Sequence, residues 1–268
     1  MGKVFIFDHD YCNGCFGCQI ACKDEHCGND WMPYQKPQPE LGHFWCKTLQ
    51  TTHGQVPKVT IEYLPLMCQH CDECPLVAKH PDVVTKRPDG LVTIDPVKSE
   101  GMRELVDECP YGVVYWNEEL NIPQKCDGCA HLVDAGEVPH CIELCMTESL
   151  KFGDEEEFAD EIAAATQIHP EFGTKPRFYY LNAPGLFIAG SVWDEVDNEV
   201  IIGAKVTLEG PDGITCETTS DDLGDYWFRQ LAQGTYKVTM EAEGFQPVVK
   251  EVELDKSLNI GDFVMPRA

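Results

Sequence analysis

The chain has 268 residues, which is enough for two domains that each bury a hydrophobic core. It carries 46 acidic and 20 basic residues, a formal net charge of −26, so its surface should repel phosphate backbones and anionic lipids, and nucleic acid is a poor partner. No apolar run is long enough to span a bilayer, and the opening "MGKVFIFDHDYC" lacks the basic and hydrophobic regions of an export signal, so we expect a cytoplasmic location.

Short apolar segments alternate with turn residues and prolines in the first part of the chain, residues 1–152. The segments "KVFIFD", "KVTIEYL" and "GLVTIDP" predict short strands, and "VKSEGMRELVDEC" predicts a short helix that leads to a cysteine. After Cys145, "GDEEEFADEIAAATQIH" predicts a helix with acidic residues at its favoured end. "PEFGTKPRFYYLNAPG" predicts an extended segment, because proline restrains the backbone. Residues 153–185 are therefore predicted to be a helix and a connector.

Regular strand patterns fill the last part of the chain, residues 186–268. "LFIAGSVWD", "GAKVTLEGPDG", "AQGTYKVTMEAEG", "FQPVVKEVELD" and "LNIGDFVM" alternate between apolar and polar residues and are separated by turn formers. This pattern is typical of a small antiparallel sandwich. The region contains no nucleophile with a matching base, and its one cysteine, Cys216, is interpreted as a buried, inert thiol.

The first cysteine motif is C-x2-C-x2-C-x3-C, formed by Cys12, Cys15, Cys18 and Cys22. Three cysteines in one tight loop suit three corners of a cubane iron-sulfur cluster, whereas a tetrahedral zinc site usually takes two cysteines from each of two knuckles. In two-cluster ferredoxins of this spacing, the fourth cysteine ligates the neighbouring cluster. Cys22 is therefore predicted to serve a second motif.

That second motif is "KCDGCAHLVDAGEVPHCIELC", which supplies Cys126, Cys129 and Cys141 and then, after the same three-residue gap, Cys145. The two motifs are predicted to exchange their fourth ligands. One cluster would then be held by Cys12, Cys15, Cys18 and Cys145, and the other by Cys126, Cys129, Cys141 and Cys22.

A third group, "CQHCDECP", contains Cys68, Cys71 and Cys74, and its distant complement is Cys109 in "DECPYGV". The twelve cysteines predict three [4Fe-4S] clusters. Zinc is disfavoured, because the triplets would leave surplus ligands in each motif. Disulfides are disfavoured, because fifteen is an odd number and no export signal precedes the cysteines. The remaining Cys27, Cys46 and Cys216 are interpreted as small buried hydrophobes or ordinary thiols.

In this order, the motifs resemble those of the iron-sulfur subunits of molybdopterin oxidoreductases related to dimethyl sulfoxide reductase. That family usually has four cysteine groups and four clusters, but here the third group keeps only Cys109 and the second has no cysteine after Cys74, so three clusters remain. With "LVDECPYGVVYWNEE" and "GTKPRFYY" followed by a sandwich, the chain looks most like the small subunits of pyrogallol-phloroglucinol transhydroxylase and related catechol dehydroxylases. The chain departs from the pattern of these subunits in two ways. The spacing before Cys74 is narrower, and Lys23 and Met146 replace the proline that usually follows Cys22 and Cys145.

The resemblance implies an α+β double ferredoxin-like [4Fe-4S] domain in residues 1–152, followed by an all-β Ig-like sandwich of the carboxypeptidase regulatory-like or Cna-B type in residues 186–268. Such a sandwich is expected to brace the partner subunit, since its fold alone assigns no chemistry. His70, His131 and His140 lie close to ligands in the sequence and could donate hydrogen bonds to sulfur; the alternative is ordinary packing.

The resemblance also implies a function and a partner. The chain would be a non-catalytic electron-transfer subunit, docked as a heterodimer or a multiple of it on a large subunit that holds bis-molybdopterin guanine dinucleotide with molybdenum or tungsten. That partner would act on hydroxyl groups of polyhydroxylated aromatics, by transhydroxylation or reductive dehydroxylation. The alternative is an assembly subunit whose clusters do not cycle. Since subunits of this family can be exported with a partner that bears a twin-arginine signal, co-export is the alternative to a cytoplasmic location.

Overall fold

The chain divides into two units in the computed structural model, which describes residues 2–268 apart from the side chain of residue 212. The first unit runs from the N-terminus to Gln50 and from Tyr63 to Ala183; the second comprises Thr51–Glu62 and Pro184–Ala268. The helices are α1 (Gly17–His26), α2 (Pro75–Lys79), α3 (Glu104–Glu108), α4 (Ala130–Asp134), α5 (His140–Glu143) and α6 (Ala159–Ala164). Within the described residues, no helix combines the length and the apolar character needed to cross a membrane.

The strands in the first half of the sequence are short except for one hairpin. They are β1 (Lys3–Asp8), β2 (Lys47–Gln55), β3 (Lys58–Leu66), β4 (Val84–Lys86), β5 (Val92–Ile94), β6 (Tyr115–Asn117) and β7 (Ile122–Gln124). The later strands are β8 (Leu150–Asp154), β9 (Phe178–Leu181), β10 (Leu186–Asp194), β11 (Lys205–Glu209), β12 (Thr215–Thr219), β13 (Asp225–Leu231), β14 (Gly234–Glu241), β15 (Val248–Leu254) and β16 (Leu258–Met265).

Strand β1 is the centre of the first unit. It pairs antiparallel with β8 and parallel with β9. Because side chains alternate along a strand, Phe5 and Phe7 pack into the core that contains the cysteines, whereas Val4 and Ile6 pack on the opposite face. Both faces of β1 are therefore buried, which explains the nearly continuous apolar run "VFIF".

Residues 153–185 differ from the predicted helix and connector in two respects. The helical part is shorter, since α6 covers only Ala159–Ala164, after a 3-10 turn at Glu155–Phe158. The later part is not a free connector, because β9 lies beside β1 with Phe178 opposite Phe5. Hydrogen bonds along β1 thus include this segment in the first unit.

The second unit is built from two sheets with the strand orders β13-β10-β16 and β12-β11-β14-β15. Alternate side chains from both sheets form a single hydrophobic core that includes Val192, Val206, Tyr226 and Val238. The predicted strands of residues 186–268 are confirmed, but the sandwich is not wholly antiparallel, because β10 and β16 run parallel. The unit also contains the tip of the β2–β3 hairpin, where buried Lys58 forms an ion pair with Asp225.

Leu208 lies in the middle of β11 and is fully buried. We expect Leu208→Ala to lower the free energy of unfolding of the second unit by about 2–5 kcal/mol, because it leaves a cavity between the two sheets. Denaturant unfolding followed by circular dichroism measures the change. The control Leu223→Ala removes an exposed side chain and should change stability by less than about 0.5 kcal/mol. An equal effect of the two variants would contradict this description of the core.

Candidate metal centres

The first thiol site, here called site A, is a cavity lined by the cysteines of the N-terminal loop and by one from the end of the cysteine-rich region. Its sulfur-bearing residues are Cys12, Cys15, Cys18 and Cys145. The loop is shaped locally: the Asn13 side chain accepts a hydrogen bond from the N–H of Cys15, and the N–H of Gly17 lies 3.4 Å from the sulfur of Cys15. Such backbone donors are suited to thiolate ligands.

Gly14 shows why this loop needs glycine. Its φ is +69°, a left-handed conformation, and an added Cβ would lie 2.3 Å from the ring of Tyr63. The loop therefore packs directly against β3, and any other residue at this position would push it away.

Hydroxyl and thiol donors surround two sulfurs of site A. A hydrogen bond from Cys46 lowers the pKa of Cys18 to about 6, and the hydroxyl of Thr48 lies 3.5 Å from the same sulfur. Burial alone would raise the pKa of Cys145, but the hydroxyl of Ser149, 3.4 Å away, contributes to lowering it overall. At Cys18 and Cys145, the surroundings thus favour the thiolate, the form in which cysteine binds metal.

A second cavity, site C, is lined by Cys68, Cys71, Cys74 and Cys109. Helix α2 begins immediately after Cys74, and α3 ends immediately before Cys109, so two short helices direct these sulfurs inward. The N–H of His70 lies 3.5 Å from the sulfur of Cys68. Burial raises the pKa of Cys71 to about 12, and metal binding requires that a thiol lose its proton.

Site B is formed by Cys22 on α1, Cys126 and Cys129 before α4, and Cys141 on α5, and all four are buried. Burial raises the pKa of Cys129, and the nearby Cys141, Cys22 and Cys126 raise it further. The N–H of Gly128 lies 3.4 Å from the sulfur of Cys126. The arrangement places Cys22 with the C-terminal triplet and Cys145 with the N-terminal triplet, which is the grouping that the spacing predicts.

Site B lies beside both other sites. Burial raises the pKa of Cys126, and the neighbouring sulfurs that raise it further include Cys68 of site C. Cys18 of site A acts in the same direction on Cys22. Cysteines of all three sites also pack in one core, so the sites form a series that runs from site A through site B to site C.

The donor sets fit cubane iron-sulfur clusters. Each site offers four thiols, several with backbone N–H groups close to sulfur, and the linings of sites A and C are otherwise largely apolar. All fifteen cysteines lie within the described residues and are free thiols, so no disulfide competes for them. Such clusters would supply reversible one-electron chemistry, while the chain positions the sulfurs and excludes water.

His70 is directed at a ligand of site B although it belongs to the loop of site C. The N–H of Val92 donates to its Nδ1 at 2.9 Å, so the proton of the neutral ring must be on Nε2. Nε2 lies 3.9 Å from the sulfur of Cys126. His70 therefore acts as a donor to a sulfur of the neighbouring site.

The other two predicted histidines do not reach sulfur. His131 hydrogen-bonds to Glu25 at 2.9 Å and stacks on Trp31, and His140 lies 3.2 Å from the carboxylate of Glu143. Sequence reasoning missed His26 instead, whose Nε2 lies 3.5 Å from the sulfur of Cys129. The sequence feature that could have identified His26 is its position four residues after Cys22, which places both residues on one face of α1.

The three remaining cysteines differ in their surroundings. Cys216 packs against the sandwich core and Cys27 is half-buried at the end of α1. Cys46 is buried, and hydrogen bonds to Cys141 and Cys18 raise its pKa, so its thiol remains a donor between sites A and B. Cys46 was predicted to be a small hydrophobe or ordinary thiol, but its thiol is a hydrogen-bond partner of two site cysteines. The spacing of cysteines in the sequence does not identify this role.

Two family models match the chain. A model of the 4Fe-4S dicluster domain matches residues 59–155, and a model of the carboxypeptidase regulatory-like domain matches residues 188–266. The first match contains all of site C and most of site B, with the last ligand of site A, and the second coincides with the sandwich. The coarse prediction of an iron-sulfur domain followed by a β-rich module is confirmed.

Relatives extend this similarity to nearly the whole chain. The pyrogallol hydroxytransferase small subunit of Pelobacter acidigallici is 36% identical over 96% of this chain and 96% of its own length. The chain belongs to this family of iron-sulfur subunits. A probable anaerobic dimethyl sulfoxide reductase chain of Escherichia coli is 33% identical over 64% of this chain and 84% of its own length. The iron-sulfur subunit of an arsenate respiratory reductase from a Shewanella species is 25% identical over 68% and 96%, respectively. The chain is thus an iron-sulfur electron-transfer subunit of the molybdoenzyme type.

Loss of one ligand should affect one site of this iron-sulfur subunit. We expect Cys109→Ser to remove up to about four iron atoms per chain out of about twelve, because site C would lose the cysteine that closes its triplet. Iron and sulfide analysis of the purified protein measures the loss. The control Cys216→Ser alters a thiol outside the three sites and should leave the iron content unchanged. Full iron content in Cys109→Ser, or tightly bound zinc in place of iron, would contradict the ligand assignment.

Proposed function

We propose that the chain carries three [4Fe-4S] clusters, at sites A, B and C, and relays electrons to or from a catalytic subunit. The observation that carries this proposal is that cysteines of all three sites pack in one core, with site B close enough to both neighbours to interact with them electrostatically. A purely structural metal site needs no such series, whereas one-electron transfer requires closely spaced centres. The exchange of Cys22 and Cys145 between the two triplets also supports a double ferredoxin-like arrangement of the first domain.

The partner is proposed to be a large subunit with bis-molybdopterin guanine dinucleotide and molybdenum or tungsten, acting on hydroxyl groups of polyhydroxylated aromatic rings. The support is similarity: the relative with 96% coverage of both chains is named as a small subunit of pyrogallol hydroxytransferase. Substrate chemistry is assigned to the partner, because the cysteine–histidine pairs of this chain, Cys129 with His26 and Cys126 with His70, are buried within site B. The proposed location is the cytoplasm, with co-export on the partner as the alternative.

Site A is proposed to be the site closest to the partner. Cys15 is exposed, whereas all four cysteines of site B are buried. The chain segments around site A also carry exposed apolar side chains: Tyr11, Ile20, Leu144 and Met146. Exposed apolar groups next to an accessible redox centre are typical of a docking surface.

Replacing one of these apolar groups with a charge should weaken the complex. We expect Ile20→Glu to lower the affinity for the large subunit by about tenfold or more, because a buried carboxylate would lie unpaired in the interface. Co-purification and titration of the two subunits measure the effect. Val97→Glu is the control, since Val97 is comparably exposed but is not close in sequence to a site A ligand. Equal affinity of both variants would place the docking surface elsewhere.

The second candidate is an assembly role, in which the clusters do not change oxidation state during turnover. Transfer of a hydroxyl group from one ring to another involves no net redox change, so such a partner would not consume electrons. The two roles differ in the time course of the clusters and not in their composition.

Rapid mixing of the dithionite-reduced complex with substrate separates the two roles. For a relay, we expect the visible absorbance of the clusters to recover at the turnover rate. The control is the same complex mixed with buffer, whose clusters should stay reduced. Clusters that stay reduced while product forms would favour the assembly role.

A further inference from the structure

Lys125 is a buried cation between two of the thiol sites. It is only 1% exposed and directly precedes Cys126 of site B. Its Nζ donates hydrogen bonds to the carbonyl oxygens of Val92 and Cys126, the latter at 2.9 Å. Its side chain also lines the cavity of site C, together with Cys68 and Cys109. The same ammonium group therefore faces one site and is anchored to the backbone of the other.

The charge of Lys125 has no ion-pair partner among residues 2–268. The two hydrogen-bond acceptors are neutral carbonyls, and the buried carboxylate of Asp127 instead accepts the N–H of Cys129 and lies 4.0 Å from His26. A buried charge without a counter-charge is strongly destabilising. The anionic groups that interact with it are the thiolates of Cys68, Cys126 and Cys74 and, after them, the carboxylate of Asp127.

Two other basic groups near these sites, Lys86 and His70, cannot take this role. Lys86 donates to the carbonyls of His70 and Cys71, but it is partly exposed and already pairs with Asp72 at 2.8 Å. His70 is held as a neutral ring by the N–H of Val92. Lys125 is thus the fully buried positive charge beside sites B and C in the described part of the chain.

We propose that Lys125 is a positioning residue that serves as the shared counter-charge of the clusters at sites B and C and raises the reduction potentials of both. The proposal rests on the proposed relay function. An added electron makes a cluster more negative, and a fixed positive charge in a low-dielectric environment stabilises that reduced state. Site A lacks such a neighbour in the described part of the chain, since the residues that line its cavity include no lysine or arginine.

The test is a redox titration of the intact complex, monitored by electron paramagnetic resonance, for the wild type, Lys125→Met and Lys125→Gln. Methionine removes both the charge and the donors, whereas glutamine removes the charge but keeps a donor for the carbonyls. We expect the iron content to stay the same, two of the three midpoint potentials to fall in both variants, and the third to stay unchanged. Cys15→Ser and Cys109→Ser assign the signals of sites A and C.

The outcomes separate this proposal from the proposed function. Wild-type protein without three cluster signals contradicts the proposed function itself. If Lys125→Gln shows three cluster signals with unchanged potentials, only the proposed role of Lys125 is contradicted. A fall of all three potentials by the same amount in this variant also contradicts that role. If Lys125→Met loses iron, its potentials no longer report on the missing charge, and the potentials of Lys125→Gln alone test the role of Lys125. Lys86→Met is the control, and a shift as large as that of Lys125→Gln would overturn the assignment to Lys125.

Discussion

The convergence of twelve cysteine side chains from remote segments into one core is the constraint on which the first unit depends. Thiolates repel one another and lose solvation when buried, so each site must supply N–H, hydroxyl or cationic neighbours. This explains why helices there are short and loops contain left-handed residues such as Cys129 and His70. The chain turns wherever a sulfur or a backbone N–H must point inward, at the expense of regular secondary structure.

The three sites differ in the hydrogen-bond donors and cations that they place beside the sulfurs. Site A uses side-chain hydroxyls and one thiol, through Thr48, Ser149 and Cys46. Site B uses two buried imidazoles, from His26 and His70, directed at its ligands. Site C is bordered by the ammonium group of Lys125. These buried donors are local exceptions in a chain whose formal net charge is −26.

The grouping of the cysteines could be predicted because spacing of two or three residues brings their sulfurs together locally, as in the C-x2-C-x2-C loop of Cys12–Cys18, whereas their role as cluster ligands stays a prediction. The sandwich strands could be predicted because their two-residue alternation is local. Donors such as Cys46 and Lys125 could not, because their role arises only when β5, the region before β2 and the thiol loops meet in three dimensions. The pairing of β9 with β1 was hidden for the same reason, since 170 or more residues separate them and proline-rich sequence precedes β9.

The β2–β3 hairpin has a consequence for the integrity of the second unit. Its tip contributes Gln55, whose side chain accepts the N–H of Asn259, and Lys58, which pairs with Asp225. A chain truncated at residue 183 would leave Lys58 without its carboxylate, and a sandwich expressed alone would lose the hairpin that satisfies Asn259. The C-terminal unit is therefore completed by a segment that lies far from it in the sequence, so cutting the chain at a single junction cannot separate the two units intact.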